Sequence, residues 1–211
     1  MNSDDALRAL VTAIVAGNAA AVSRMLAGSP ELARASFQVG ATRTSEEPHF
    51  VEEIRRYIYA GDTALHFAAA AYQFEIVRML IEAGADVGAK NRLGNQPLHA
   101  AAAGSPGSRH WNPPAQVSTI AALIHSGADP NTVNKRGVTA LHIAVRTRCA
   151  DAVRVLLEHG ADPARKNDNG STPLLLATLN TGRPGSGSPE AKGQQGEIIR
   201  LLEERTSAQR H

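Results

Sequence analysis

The sequence predicts an all-α solenoid made of stacked helix–turn–helix units. Three observations support this fold class: a motif that recurs at nearly constant spacing, a glycine triplet that recurs behind it, and few aromatic residues. Of the 211 residues, 43% are hydrophobic but only 4% are aromatic. Alanine, leucine, valine and isoleucine must therefore build the core, and these small side chains favour closely packed helices.

The recurring motif begins at a glycine in each of four segments. GDTALHFAAA begins at Gly61, GNQPLHAAAA at Gly94, GVTALHIAVR at Gly137 and GSTPLLLATL at Gly170. The offsets between them are 33, 43 and 33 residues. A constant period of this length indicates one supersecondary unit per repeat, stacked on its neighbours.

A second marker, the triplet GAD, begins at Gly84, Gly127 and Gly160. Its offsets of 43 and 33 place the ten additional residues of the longer interval between Gly94 and Gly127. The segment GSPGSRHWNPPAQ, residues 104–116, accounts for them.

Each unit is predicted to contain two helices. Threonines at the start of the motif can cap the first helix, and prolines fall at its first position, where a missing N–H is tolerated. The residues concerned are Thr63, Thr139, Thr172, Pro97 and Pro173. The second helix carries apolar residues at helical spacing and ends at the glycine of GAD, a residue suited to a left-handed C-cap.

The motifs TALH, QPLH, TALH and TPLL, with three GAD triplets, resemble the ankyrin repeat. The resemblance covers residues 61–205 and implies an ankyrin-repeat solenoid with β-turn tips. It also implies a non-catalytic module that binds another protein through its concave face and tips. The predicted units are 61–93, 94–136 with an insertion at 104–116, 137–169, and 170–211 with an insertion at 180–196.

The N-terminal part of the chain departs from the motif. Residues 1–35 are predicted to be a degenerate N-terminal capping repeat, which brings the count to about five units including both caps. Residues 36–60 fit no repeat, and we expect a linker with an extra helix, or an extended arm near Tyr57 to Ala60. The helical spacing there involves Phe50, Val51, Ile54, Tyr57 and Ile58.

The turn between the two helices is irregular in all four motif-bearing units. Ankyrin repeats usually have a glycine there, but Tyr72 and Arg148-Cys149 occupy two of these turns and the insertions occupy the other two. All four turns should line one edge, so a site built by the insertions is an alternative hypothesis, for a small-ligand-binding or enzymatic protein. Its candidate residues are Tyr72, Arg109, His110, Trp111, Arg148 and Arg183. Tolerated loops, with Trp111 as a hydrophobic lid, are the other interpretation.

The opposite edge carries the β-turn tips, which are basic. The loops AKNRLGNQ, TVNKRGVT and RKNDNGST hold six basic residues and one acidic residue, a net +5 in a chain of net +2. We expect partner contacts from Arg92, Lys135, Arg136 and Lys166, with an acidic segment of another protein. A charged, solvated loop edge is the alternative. The tip loops lack aromatic residues, so nucleic-acid binding is not expected.

The histidines and the cysteine give little sign of chemistry. His66, His99 and His142 belong to the motif and are expected to hydrogen-bond between units. His125 and His159 precede helix-ending glycines, and no cluster has zinc-ligand spacing, so neither metal nor cofactor is expected.

Two further motifs could carry chemistry. Cys149 with His110 is one conceivable nucleophile pair, although a lone cysteine is more often a small buried hydrophobe. GRPGSGSP, residues 182–189, lacks the lysine and hydroxyl residue that a phosphate-binding loop needs.

The expected environment follows from the same composition. One cysteine cannot form an internal disulfide, and no stretch of 18 apolar residues is present. Asp4 and Asp5 stand where a signal peptide would carry positive charge. We expect a cytoplasmic, monomeric protein that does not bind membranes.

Overall fold

The computed structural model describes residues 3–42, 49–104, 106, 111–179 and 189–208. The described part of the chain contains ten α-helices that form five consecutive pairs. They are α1 Ser3–Val15, α2 Ala19–Gly28, α3 Ala64–Ala70, α4 Phe74–Glu82, α5 Pro97–Ala101, α6 Pro113–His125, α7 Ala140–Arg146, α8 Ala150–Glu158, α9 Pro173–Thr178 and α10 Pro189–Ala208. A short hairpin, β1 Phe50–Val51 and β2 Arg56–Tyr57, precedes α3.

The pairs stack so that the first helices form one layer and the second helices form another. Within the first layer α3 contacts α1 and α5, and α7 contacts α5 and α9; within the second, α8 contacts α6 and α10. Leu65, Leu98 and Leu141, at equivalent motif positions, are 0%, 1% and 0% exposed. The predicted all-α repeat solenoid of five units is confirmed.

The helix ends follow the predicted capping chemistry. Thr139 Oγ1 accepts the His142 N–H at 3.3 Å, and Thr172 Oγ1 accepts the Leu175 N–H at 3.2 Å. Pro97 and Pro173 each lie at the first residue of their helices. Gly84, Gly127 and Gly160 all have positive φ, of 89°, 100° and 87°, which an L-residue with a side chain adopts only with strain.

The motif histidines join neighbouring units. The Nε2–H groups of His66, His99 and His142 donate to the carbonyls of Asn95, Val138 and Ser171, at 3.0, 3.0 and 3.2 Å. In each ring Nδ1 accepts a backbone N–H at the start of its own helix, so the ring is neutral with its proton on Nε2. The expected inter-unit bonds are therefore present.

The expected extra helix within residues 36–60 is wrong for the residues described there. Phe50–Val51 and Arg56–Tyr57 pair as antiparallel strands around a 3₁₀ turn, Glu52–Ile54, and Arg55 takes a left-handed φ of 48°. Ile58, 2% exposed, extends this pairing, because its N–H donates to the His49 carbonyl at 2.7 Å. Aromatic and β-branched residues favour such a half-buried sheet over a helix.

The two insertions are shorter as loops than expected. Asn112 caps α6 by accepting the Ala115 N–H at 3.1 Å, so residues 113–116 form the first turn of that helix. Helix α10 begins at Pro189, eight residues before Glu197, the first residue after the insertion predicted at 180–196, at which we expected the last helix to start. Gln194 Oε1 accepts the Ala150 N–H at 2.8 Å, which anchors the added turns to the preceding unit.

Leu141→Ala is expected to lower the free energy of unfolding by about 2–5 kcal/mol, because the buried leucine would leave a cavity between packed units. Urea unfolding followed by circular dichroism measures the change. The matched control is Leu93→Ala, since Leu93 is 38% exposed and its loss should cost less than about 0.5 kcal/mol. Equal losses in both variants would contradict the assignment of Leu141 to the core.

Acidification is expected to destabilise the protein through the buried histidines. Burial lowers the pKa of His66, His99 and His142 below 6.5, to about 4 for His99. Between pH 6.5 and the lowered pKa values, the unfolded chain binds more protons than the folded one. The stability that is present above pH 6.5 is therefore lost as the pH falls. His99 alone should remove about 2 kcal/mol between pH 7 and pH 5.

Urea titrations at pH 7, 6 and 5 measure this loss. A His99→Gln variant serves as the comparison, because it lacks one titrating ring and should lose less stability on acidification, whatever its stability at pH 7. An unfolding free energy that stays constant from pH 7 to pH 5 would show that the rings are not held neutral.

Candidate functional site

Three asparagines shape the loops that connect successive units. Asn91 Oδ1 accepts the N–H groups of Leu93 and Asn95, at 3.0 and 3.1 Å. Asn134 and Asn167 repeat this pattern with the residues two and four positions later. Sequence reasoning missed these residues, although each stands three positions before a motif glycine. The three loops therefore share one rigid geometry.

The loops also bond to one another through their backbones. Arg92 N–H donates to the Ala60 carbonyl at 2.7 Å, Lys135 N–H to Leu93 at 3.1 Å, and Asp168 N–H to Arg136 at 3.1 Å. We call the loops 89–96, 132–139 and 165–172 the tip row. Each loop of the row is held by its predecessor, so the row is a continuous edge of the stack.

The basic side chains of the tip row point to solvent. Arg92, Lys135, Arg136 and Lys166 are exposed, as are Lys90 and Arg165. Within the described ranges none of the six has a carboxylate within ion-pair distance. Arg92 instead lies over the ring of Tyr59, with 5.1 Å between Cζ and the ring centroid. The row therefore presents positive charge that described acidic groups do not neutralise.

The first helices of the three central units, α3, α5 and α7, offer much less exposed surface than the tip row. All five residues of α5 are buried, and only Ala70 of α3 and Arg146 of α7 are partly exposed. At the far end of this layer, Leu175 and Leu179 are 47% and 48% exposed. Polar contacts with a partner would thus come mainly from the loops.

At the opposite edge, where the two helices of each pair meet, two candidate side chains form hydrogen bonds within the protein. Tyr72 and Arg148 replace the usual glycine and take left-handed φ values of 55° and 63°. The Tyr72 hydroxyl donates to the Ala103 carbonyl, and Arg148 Nη2 donates to the Leu179 carbonyl at 3.2 Å. Each side chain therefore ties its unit to the next one.

Arg148 is only 3% exposed, and burial lowers the pKa of its guanidinium. Among the residues that the structure describes, none is a hydrogen-bond partner for its Nε or Nη1. Trp111 is half-buried, and its Nε1–H donates to Gln116 Oε1 at 2.9 Å. Gln116 in turn donates to the carbonyls of Ala101 and Ala103, which fits Trp111 as a cover over the neighbouring helices. Arg109, His110 and Arg183 lie outside the described residues.

Family models match most of this stack. Ankyrin repeats (3 copies) match residues 10–108, ankyrin repeat matches 93–135, and ankyrin repeats (many copies) match 123–177. Cyclin-dependent kinase 4 inhibitor B of Mus musculus is 39% identical over 98 residues, which are 46% of this chain and 67% of that protein. The chain belongs to the ankyrin-repeat family.

Longer relatives share only this ankyrin-repeat portion. Protein phosphatase 1 regulatory subunit 12A of Mus musculus is 34% identical over 125 residues, covering 54% of the chain but 11% of that protein. B-cell lymphoma 3 protein homolog of Mus musculus is 32% identical over 145 residues, covering 69% of the chain and 27% of that protein. The chain thus spans a small part of these proteins.

The ankyrin-repeat stack does not activate its one cysteine. Cys149 is 0% exposed, and burial raises the pKa of its thiol to about 11, so the thiol stays protonated at neutral pH. Among the described residues, no three His, Cys, Asp or Glu side chains could together hold a metal ion. No described helix is long and apolar enough to cross a bilayer.

Tyr72→Phe is expected to lower the free energy of unfolding by about 1 kcal/mol, since it removes the inter-unit hydrogen bond but keeps the ring. Burial raises the Tyr72 pKa well above its usual value, so the hydroxyl remains the donor. Tyr59→Phe is the control, because the Tyr59 hydroxyl makes no hydrogen bond within the described ranges. Chemical denaturation measures the free energy of unfolding of both variants. A Tyr72→Phe variant that is as stable as wild type would exclude a stabilising role for this inter-unit hydrogen bond.

Proposed function

We propose that this chain is a non-catalytic ankyrin-repeat scaffold that binds another protein through its tip row. The observation that carries the proposal is the set of six exposed basic side chains on loops fixed to one another. The partner would supply an acidic segment, because the row carries a net charge of +5 while the whole chain carries +2. The concave face contributes less, since the first helices of the three central units are largely buried.

The rigidity of the tip row supports binding. Side-chain oxygens of Asn91, Asn134 and Asn167 hold the loops, and backbone hydrogen bonds hold each loop to the next. A surface ordered before binding loses little conformational entropy when the partner arrives. Exposed charges of one sign also accelerate association with an oppositely charged segment. Relatives named as a regulatory subunit and as an inhibitor are consistent with action through binding.

The alternative of a small-ligand or enzymatic site at the other edge has less support. Tyr72 and Arg148 donate to carbonyls of the next unit, and Trp111 donates to Gln116. These groups are engaged in holding the stack together. Burial also keeps Cys149 protonated, which disfavours a nucleophilic role.

Single-stranded nucleic acid is also a weaker candidate than a protein. Successive bases need a series of aromatic side chains on which to stack. Tyr59 lies beside the tip row, but the Arg92 guanidinium already covers its ring.

We propose a cytoplasmic monomer, and a reducing compartment suits a chain with one free cysteine.

Charge reversal in the tip row is expected to weaken partner binding. The variant changes Arg92, Lys135 and Arg136 to Glu, and the full chain serves as bait in cytosol of the source cell. The captured partner is identified by mass spectrometry and its affinity is then measured. We expect the affinity to fall at least tenfold, about 1.4 kcal/mol, and wild-type binding to weaken as salt is raised.

A matched control changes three exposed basic residues of the second helix layer, Arg24, Arg78 and Lys192, to Glu. It alters net charge equally but leaves the tip row intact, so it should retain the partner. A third bait replaces residues 105–110 with a short glycine-containing turn and leaves Asn112, the cap of α6, in place. Loss of the partner only in this third bait would assign binding to the other edge. Capture of nothing by wild type would favour a small ligand.

A further inference from the structure

Two histidines from neighbouring ankyrin units meet at the ends of the second helices. His125 is the last residue of α6, and His159 directly follows α8. Their ring centroids are 5.2 Å apart, with 73° between the ring planes. The two residues are 34 positions apart in the chain, so the pair exists only because successive units stack.

One ring has a defined tautomer. His159 Nδ1 lies 2.8 Å from the Val155 carbonyl oxygen. A carbonyl only accepts, so Nδ1 must carry the proton and donate it. In the neutral ring the lone pair is then on Nε2, on the other side of the imidazole. Metal-binding histidines are typically oriented in this way, with the second nitrogen bonded to a backbone carbonyl or carboxylate.

The spacing of the rings matches that of two imidazoles on one tetrahedral ion. With a metal–nitrogen distance of about 2.0–2.1 Å, each ring centroid lies about 3.2 Å from the metal. Two such ligands at a tetrahedral angle have centroids about 5.2 Å apart. The separation of 5.2 Å between His125 and His159, which lie edge to face, therefore equals that expected for two ligands of one ion.

We propose that His125 and His159 form a two-histidine site for a divalent transition ion of the zinc class. Imidazole nitrogen suits Zn²⁺, Ni²⁺ and Cu²⁺ rather than Mg²⁺ or Ca²⁺. His125 is exposed and His159 is partly exposed, so an ion reaches the pair from solvent. The described residues supply no third His, Cys, Asp or Glu, so water fills the other positions.

The bound ion would connect two units that already touch. Helices α6 and α8 pack against each other, and each histidine lies at the end of one of them. An ion that binds only the folded pair stabilises the stack by mass action. The site shares no residue with the tip row, so its test is independent of the proposed function.

Calorimetric titration of the full chain, free of any purification tag, with Zn²⁺ alone tests the site. Wild type is expected to bind one ion, and His125→Ala and His159→Ala are each expected to weaken binding at least tenfold. Both variants replace surface side chains, and circular dichroism confirms that they fold. The control, His110→Ala combined with His211→Ala, removes two other imidazoles and should bind like wild type.

Thermal unfolding gives a second readout. Zn²⁺ should raise the unfolding midpoint of wild type and of the control, but not that of either site variant. Binding that survives in His125→Ala or His159→Ala would overturn the proposal, as would the absence of saturable binding in wild type. Loss of binding in the control would assign the ion to the other histidines and would also overturn it.

Discussion

The stack depends on one hydrogen bond that recurs between successive helix pairs. His66, His99 and His142 each accept a backbone N–H at the start of their own helix and donate to a carbonyl of the next unit. Apolar burial drives the units together but has no direction, whereas this bond fixes how one unit sits on the next. At the corresponding position of the last described pair stands Leu175, which is 47% exposed.

The two long edges of the stack use their polar groups differently. At the edge where paired helices meet, Tyr72 and Arg148 donate hydrogen bonds to carbonyls of the following unit. At the tip row, backbone and asparagine groups make the inter-loop contacts, which leaves side chains such as Lys135 and Arg136 in solvent. Because the second edge is rigid without its charged side chains, those side chains remain available to a partner.

Local sequence rules predicted the elements whose stability is decided within a few residues. Caps at Thr139 and Thr172 and left-handed glycines such as Gly84 follow from backbone chemistry that a short segment contains. The hairpin at residues 50–57 and the early start of α10 at Pro189 did not follow. The early start of α10 depends on a contact with the distant Ala150, and the hairpin forms from residues whose apolar spacing also fits a helix.

By itself, the sequence determined the repeat fold, its number of units, the inter-unit role of the motif histidines and the basic character of the tips. The motif recurs in four units, and the motif histidines and the basic loops each recur three times, so periodicity reveals them. Only the tertiary structure decided that Tyr72 and Arg148 donate hydrogen bonds to the next unit and that the rings of His125 and His159 are in contact. Those contacts join residues that are 31 or 34 positions apart. Their geometry depends on how successive units rotate and stack, which no single segment specifies.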